Sequence, residues 1–136
     1  MRIFAVGTTD NTTSIGLLLL RLVAGLTMAF SHGLGKLEKY DKLVETFPDP
    51  FGLGSQLSVI LAIFAELFCG LFIALGFATR YTVIPLIITM ATAFFIIHSD
   101  DPFAKQEMSL IYLVMYIIIF IIGPGKYSID KLISKK

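Results

Sequence analysis

The sequence predicts an all-α fold: a four-helix transmembrane bundle with an interfacial amphipathic helix between the first and second spans. Three observations lead there. Hydrophobic residues make up 56% of the 136 residues and charged ones only 15%. Mean hydropathy is +0.83, too apolar for an ordinary soluble domain of this size. Four apolar stretches, about 14–31, 57–77, 82–97 and 107–122, approach the ~17 to 25 helical residues needed to cross a bilayer core about 30 Å thick. Turn signals separate them. The chain, 1–136, therefore reads as a single integral membrane domain whose first partner is the lipid bilayer.

Asp10-Asn-Thr-Thr-Ser14 competes with helix through side-chain hydrogen bonds and predicts a turn or cap just before the first span. Within that span Arg21, Gly25, Met28, His32 and Lys36 follow steps of three and four, so they share one helical face. The remaining positions are mostly Leu, Val, Ala and Phe, so the polar face is expected to turn inward. Arg21 interrupts the apolar run and no small-x-small site follows, so this segment is expected to be retained rather than cleaved as a signal peptide. Beyond His32, the positions Leu34, Leu37, Tyr40, Val44 and Phe47 interleave with Lys36, Glu38, Lys39, Asp41, Lys42 and Glu45. That is the pattern of an interfacial helix roofing one end of the bundle. Pro48-Asp-Pro50 ends it, and Phe51 to Ser55 turns into the second span.

Gly76 and the Thr79-Arg80 pair mark the exit of the second span, and Pro85 suits the first turn of the third, so the two form a tight antiparallel hairpin. His98-Ser-Asp-Asp-Pro102 stops the third span, and the fourth begins near Lys105-Gln-Glu107 and ends at Gly123-Pro-Gly125. The tail from Lys126 onward reads as a short surface helix. Four spans place both termini on one side, which carries Arg2, Arg80, Lys126, Lys131, Lys135 and Lys136 against Lys36, Lys39, Lys42 and Lys105 opposite. The positive-inside rule makes that side cytoplasmic in a multi-pass membrane protein.

A net charge of +1 offers no concentrated basic face, which excludes a nucleic-acid partner. Cys69 is the sole cysteine, so it forms no intramolecular disulfide and no thiolate metal site, and is expected to pack as a small apolar residue. Arg21 lies eleven residues before His32, and Glu66 about nine after the start of the second span, which puts both about 14 to 16 Å below the outer surface. A charge inside a span costs at least about 2.5 to 3.5 kcal/mol on insertion scales, so each is expected to find a partner. One reading is a structural Arg21–Glu66 ion pair fixing the first two spans. The other makes Glu66 a proton-titrating group in a ligand or ion path.

His32, Lys36, His98 and Glu107 fall at the outer ends of the spans with Asp100 and Asp101 beside them, and Tyr112 and Tyr116 can hydrogen-bond into the bundle. With Arg21 and Glu66, the residues His32, Lys36, His98, Glu107 and Tyr112 form the candidate ligand-binding set. Two chemistries fit them: helix-end hydrogen bonding, or a site for a quinone head group or small anion. Haem and metal are not expected, because two histidines without further ligand spacing are a weak donor set. No catalytic constellation is recognisable, so any oxidoreductase role is expected only as a subunit.

Arg21-Leu-x-x-Gly25, His32-Gly-x-x-Lys36-Leu37, Glu66 followed by Gly70 and by Leu75-Gly-x-x-Thr-Arg80, and Gly123-Pro-Gly-Lys-Tyr-Ser-Ile-Asp130 together resemble the DoxX family of small bacterial membrane proteins. The resemblance covers nearly the whole chain. It implies a four-helix inner-membrane protein, and some relatives are linked to quinone-dependent sulfur oxidation or to membrane-associated redox complexes. The expected function is thus a subunit or partner of a membrane-associated redox system with a quinone-like ligand. A redox protein and a second copy of the chain are the candidate protein partners. Two other classes stand beside it. One is an anchor for a soluble enzyme, docked on the basic tail and Arg80. The other is a small-molecule transporter, against which the nearly apolar inner halves of the third and fourth spans weigh.

Overall fold

The structure is a computed structural model and describes residues 10–134, among which only helices, turns and loops occur. Helix α1 runs Asp10–Glu38, α2 Tyr40–Leu43, α3 Ser55–Leu75, α4 Thr79–Ile97, α5 Phe103–Ile122 and α6 Ile129–Ile133. α1, α3, α4 and α5 are each long and apolar enough to cross a membrane. α1 packs on α3, α3 on α4, α4 on α5, and α5 returns to α1, closing a ring of four.

Ala24, Met28, Cys69, Ile73, Leu86 and Tyr116 meet at the centre of that ring. Cys69 is buried there as a small apolar side chain. The outward faces carry Leu19, Val23, Phe68, Phe95 and Ile121, all exposed. Water would penalise such a belt, whereas lipid accepts it. Because lipid tails are as apolar as the core, close packing has to hold the helices together, and small residues make it. A Cβ on Gly25 would lie 2.5 Å from the Gly70 carbonyl oxygen, and one on Gly33 would collide with the backbone nitrogen of Leu67. These contacts also set α1 and α3 antiparallel.

The roof is shorter than the expected amphipathic helix, because its first turn belongs to α1. Leu34 to Glu38 continue the first span, and only Tyr40–Leu43 form a separate helix, followed by turns to Leu53. The expected polarity split holds in part: Tyr40 and Phe47 pack, together with Leu43, against the cluster of Val59 and Ile63 of α3 while Lys39, Asp41, Lys42 and Glu45 are exposed, but Leu37 is exposed and Lys36 turns inward to Glu66. Asp49 pins the roof to α3, its carboxylate accepting from Leu53 N and Gly54 N at 2.8 Å each and from Ser58 Oγ at 3.1 Å. Those bonds to the ionised form hold its carboxyl below the ordinary value, the bond from Gly54 most of all.

Three further expectations are corrected. Asp10 to Ser14 form the first turns of α1 rather than a turn before it. Two of their side chains bond to the segment after α5: Lys126 N donates to Ser14 Oγ at 3.1 Å and Lys126 Nζ to Asn11 Oδ1 at 2.8 Å. Pro85 lies inside α4, not in its first turn, because α4 begins at Thr79. The Arg21–Glu66 pair is not formed. α1 extends to Glu38, so Arg21 is 17 residues, about 26 Å, from its roof end, while Glu66 is 11 residues, about 17 Å, from Ser55.

Arg21 instead closes the opposite end of the bundle. It is 1% exposed, and its Nε donates to Ile73 O at 3.0 Å while Nη2 donates to Ala74 O at 3.2 Å and Tyr127 O at 2.9 Å. Nη1 donates to Pro124 O. The last carbonyls of a helix have no partner within it, and at the end of α3 this guanidinium satisfies Ala74 O and shares Ile73 O with Gly76 N, while Phe77 N takes Phe72 O. Gly76 makes the fit possible, since it is left-handed at φ 68° and a Cβ there would strike Ser128 and Arg21. Asp130 completes the knot by accepting from Ala78 N at 2.7 Å and Thr79 N at 2.9 Å, which caps the start of α4 from the far end of the chain.

Candidate functional site

α1, α3 and α4 each contain one wide π-type turn, over Met28–Gly33, Phe64–Cys69 and Ala93–Ile97. Such turns are rare and cluster at functional sites. Here the first holds His32, the second holds Glu66, and His98 follows the third directly. The first two also touch one another. Gly33 lets the α1 backbone rest on Glu66 and Leu67, and Lys36, one turn further on, reaches across so that its Nζ donates to Glu66 Oε2 at 2.6 Å. Glu66 is 4% exposed. Among the described residues Lys36 is its hydrogen-bonding partner, which leaves the second carboxylate oxygen and two Lys36 protons without a protein partner.

This ion pair lies in the wall of a cavity of about 380 Å³. Phe47, Pro48 and Phe51 of the roof line it, as do Ala62 of α3 and Met90 and Ala93 of α4. Its other polar side chains are Ser58, Thr89, Thr92 and His98. His98 Nδ1 lies 2.7 Å from Asp101 Oδ2. Gln106 Nε2 donates to His98 O at 2.6 Å and to Asp101 O at 3.0 Å, which fixes the turn that presents the ring. A cavity of this size, apolar apart from one ion pair and a few hydroxyls and an imidazole, has the make-up of a small-molecule pocket.

The sequence-derived set thus divides. Lys36, Glu66 and His98 line the cavity. His32 packs edge-on against Tyr112 with ring centres 5.8 Å apart, and neither ring lines it. Thr27 Oγ1 donates to Val23 O at 2.6 Å, so Tyr112, whose hydroxyl is 2.7 Å from the same oxygen, is the donor in that contact. Tyr112 stacks on Tyr116, whose hydroxyl donates to Ala24 O at 3.0 Å. Arg21 belongs to the knot at the other end. Glu107 is exposed near the start of α5 and does not line this cavity. Ser58, Thr89 and Thr92 were missed because a lone hydroxyl in an apolar span carries no signal at the level of sequence. Asp49 had one, a carboxylate just ahead of the glycines that precede a helix start.

The sequence model of the DoxX family matches residues 16–99, which takes in most of α1, the roof, α3 and α4. A Haemophilus influenzae protein named "Uncharacterized protein" is 29% identical over 131 residues, covering 90% of this chain and 86% of its own. The Bacillus subtilis "Putative oxidoreductase CatD" is 28% identical, covering 93% and 92%. The Escherichia coli "Inner membrane protein YqjF" is 31% identical, covering 90% and 95%. No solved structure matches the chain. The family match includes Arg21, Lys36, Glu66 and His98 in one continuous stretch, and with relatives alike over almost their full lengths it establishes that the chain belongs to the DoxX family.

Proposed function

We propose that this chain is one integral domain of the bacterial inner membrane that binds a quinone-like ligand and serves a membrane-associated redox system. The observation that carries the reading is the Lys36–Glu66 ion pair in the wall of an otherwise apolar cavity. Lys36 offers spare N–H donors to a ring carbonyl, and Glu66 offers an acceptor for a ring hydroxyl. His98 supplies a second polar contact at the cavity edge. The apolar walls suit the ring itself. His32 and Tyr112 support the α1 backbone that carries Lys36. The redox setting is supported by the oxidoreductase name of the Bacillus subtilis relative, and the inner membrane by the name of the Escherichia coli one.

Binding is favoured over transport because the core beyond Glu66, built from Met28, Cys69, Ile73 and Tyr116, is filled with apolar side chains. Both chain ends belong in the cytoplasm, a reading supported by Arg80, Lys126 and Lys131 at the knotted end.

The test is equilibrium binding of decylubiquinone to the purified full chain in detergent. The expected result is saturable binding, lost in Glu66→Gln and in Lys36→Met and retained in Glu107→Gln. Binding that is equal in all four proteins refutes the site.

A further inference from the structure

We propose that the cavity is reached sideways from the lipid, through the gap between α3 and α4, by an amphipath. Its polar head sits at Lys36–Glu66 and its apolar tail stays in the gap. This rests on the reading of the cavity as a ligand site and adds the way in and the shape of the ligand.

Three observations weigh against the other directions. The roof is fastened, since Asp49 ties it to Leu53, Gly54 and Ser58, and Ser55 Oγ donates to Phe47 O at 2.9 Å. The opposite end is filled by the packed core around Ile73 and Leu86. Toward α1 the wall is the ion pair itself. One side remains. α4 packs on α3 along Phe64–Leu75, whereas the first half of α3, Ser55–Ile63, packs on the roof and on the end of α1. The two helices therefore part just where the cavity lies.

The residues flanking that gap are apolar and face outward: Leu61 is 47% exposed and Ile88 57%. Both also line the cavity, so one continuous apolar surface leads from the lipid to the ion pair. A volume of about 380 Å³ is at the small end of ligand pockets. It takes a ring-sized head and the start of a chain, and the rest of a tail has only the gap to occupy.

The experiment uses the full chain in phosphatidylcholine–phosphatidylglycerol nanodiscs doped with a long-chain alkylphenol that carries a diazirine where the chain joins the ring. After photolysis, adducts are located by peptide mass spectrometry. Ala62 and Met90 report the cavity, and the outward-facing Phe68 and Phe95 report ordinary lipid contact. Adducts at all four are expected. Leu61→Trp/Ile88→Trp, two exposed positions that the fold tolerates, should abolish those at Ala62 and Met90 and spare those at Phe68 and Phe95. Adducts confined to Phe68 and Phe95 in the wild type overturn the proposal, as does interior labelling that the double substitution leaves unchanged. A further arm uses Asp49→Ala with a tailless, water-soluble diazirine. Interior labelling that appears only when the roof is loosened shows access along the bundle axis and also overturns it. Decylubiquinone should compete with the interior adducts. If interior labelling responds to the plug but not to decylubiquinone, the sideways path stands and the quinone reading of the head group falls.

Discussion

Replacing Arg21 with methionine should release the end of the chain before it unfolds the bundle. The substitution keeps length and apolar bulk and removes four hydrogen bonds to carbonyls, two on α3 and two on the loop that follows α5. Hydrogen bonds inside membrane proteins average about 0.6 kcal/mol in double-mutant cycles. Four of them make about 2.4 kcal/mol globally, and the two to Pro124 and Tyr127 make about 1.2 kcal/mol for opening of the loop alone. The second figure multiplies the open population by about eight, and proteolysis follows that population when opening is fast. Trypsin should therefore cut the purified protein after Lys126 and Lys131 about eightfold faster in Arg21→Met than in the wild type. Arg21→Lys, with one ammonium in place of a planar fork, should recover at most half of the protection. Equal cleavage rates, with an unfolding midpoint unchanged in Arg21→Met, would refute the assignment of Arg21 as the clamp.

Four other outcomes follow from the geometry. Lys36→Met and Glu66→Gln should each destabilise the protein by about 3 to 5 kcal/mol while the double variant lies nearer the wild type, as read by thermal unfolding in detergent. Arg21→Met combined with Glu66→Gln should be additive, since the two side chains share no partner. Gly33→Ala forces a methyl group into the backbone of Leu67, and overpacking of that kind costs about 1 to 3 kcal/mol, visible as a lowered melting temperature. Asp49 is held below its ordinary value of 3.8 by its backbone bonds. Its contribution is therefore complete above that value and disappears as pH falls through the lower folded-state value. Protease resistance of the roof should exceed that of Asp49→Asn at neutral pH and converge with it only in stronger acid. A constant difference across that range would contradict the role given to Asp49.

Most of the fold was legible in the residues. Apolar length gave the four spans, and Pro102 and Gly123 gave the limits of the last two. The polar face of α1 was also correctly seen to point inward. Depth is not legible in the same way, because the sequence places His32 at the outer end of a helix that continues in the structure to Glu38. That shift moved Arg21 away from Glu66 and left Lys36 beside it. The pairing rule that buried charges need partners was sound, but it could not say that Arg21's partners are main-chain carbonyls, which look alike at every position. Nor does spacing announce a π-type turn, so the periodicity that put Arg21 and Lys36 on one face breaks at Met28–Gly33. Glu107 was grouped with the site by its place at a helix end, yet its side chain lies outside the cavity.

The clamp at Arg21 also orders events in time. Two of its acceptors, Pro124 and Tyr127, lie 103 and 106 residues further along the chain. At translation rates of about 5 to 20 residues per second they are made about 5 to 20 s after Arg21 itself. During that interval the first helix carries a guanidinium whose final partners do not yet exist, and it has either to linger near the interface or borrow water and lipid head groups. Completion of the bundle therefore waits on residues synthesised more than a hundred positions after Arg21, and an elongation pause between Ile122 and Asp130 would prolong the most vulnerable state of the first helix.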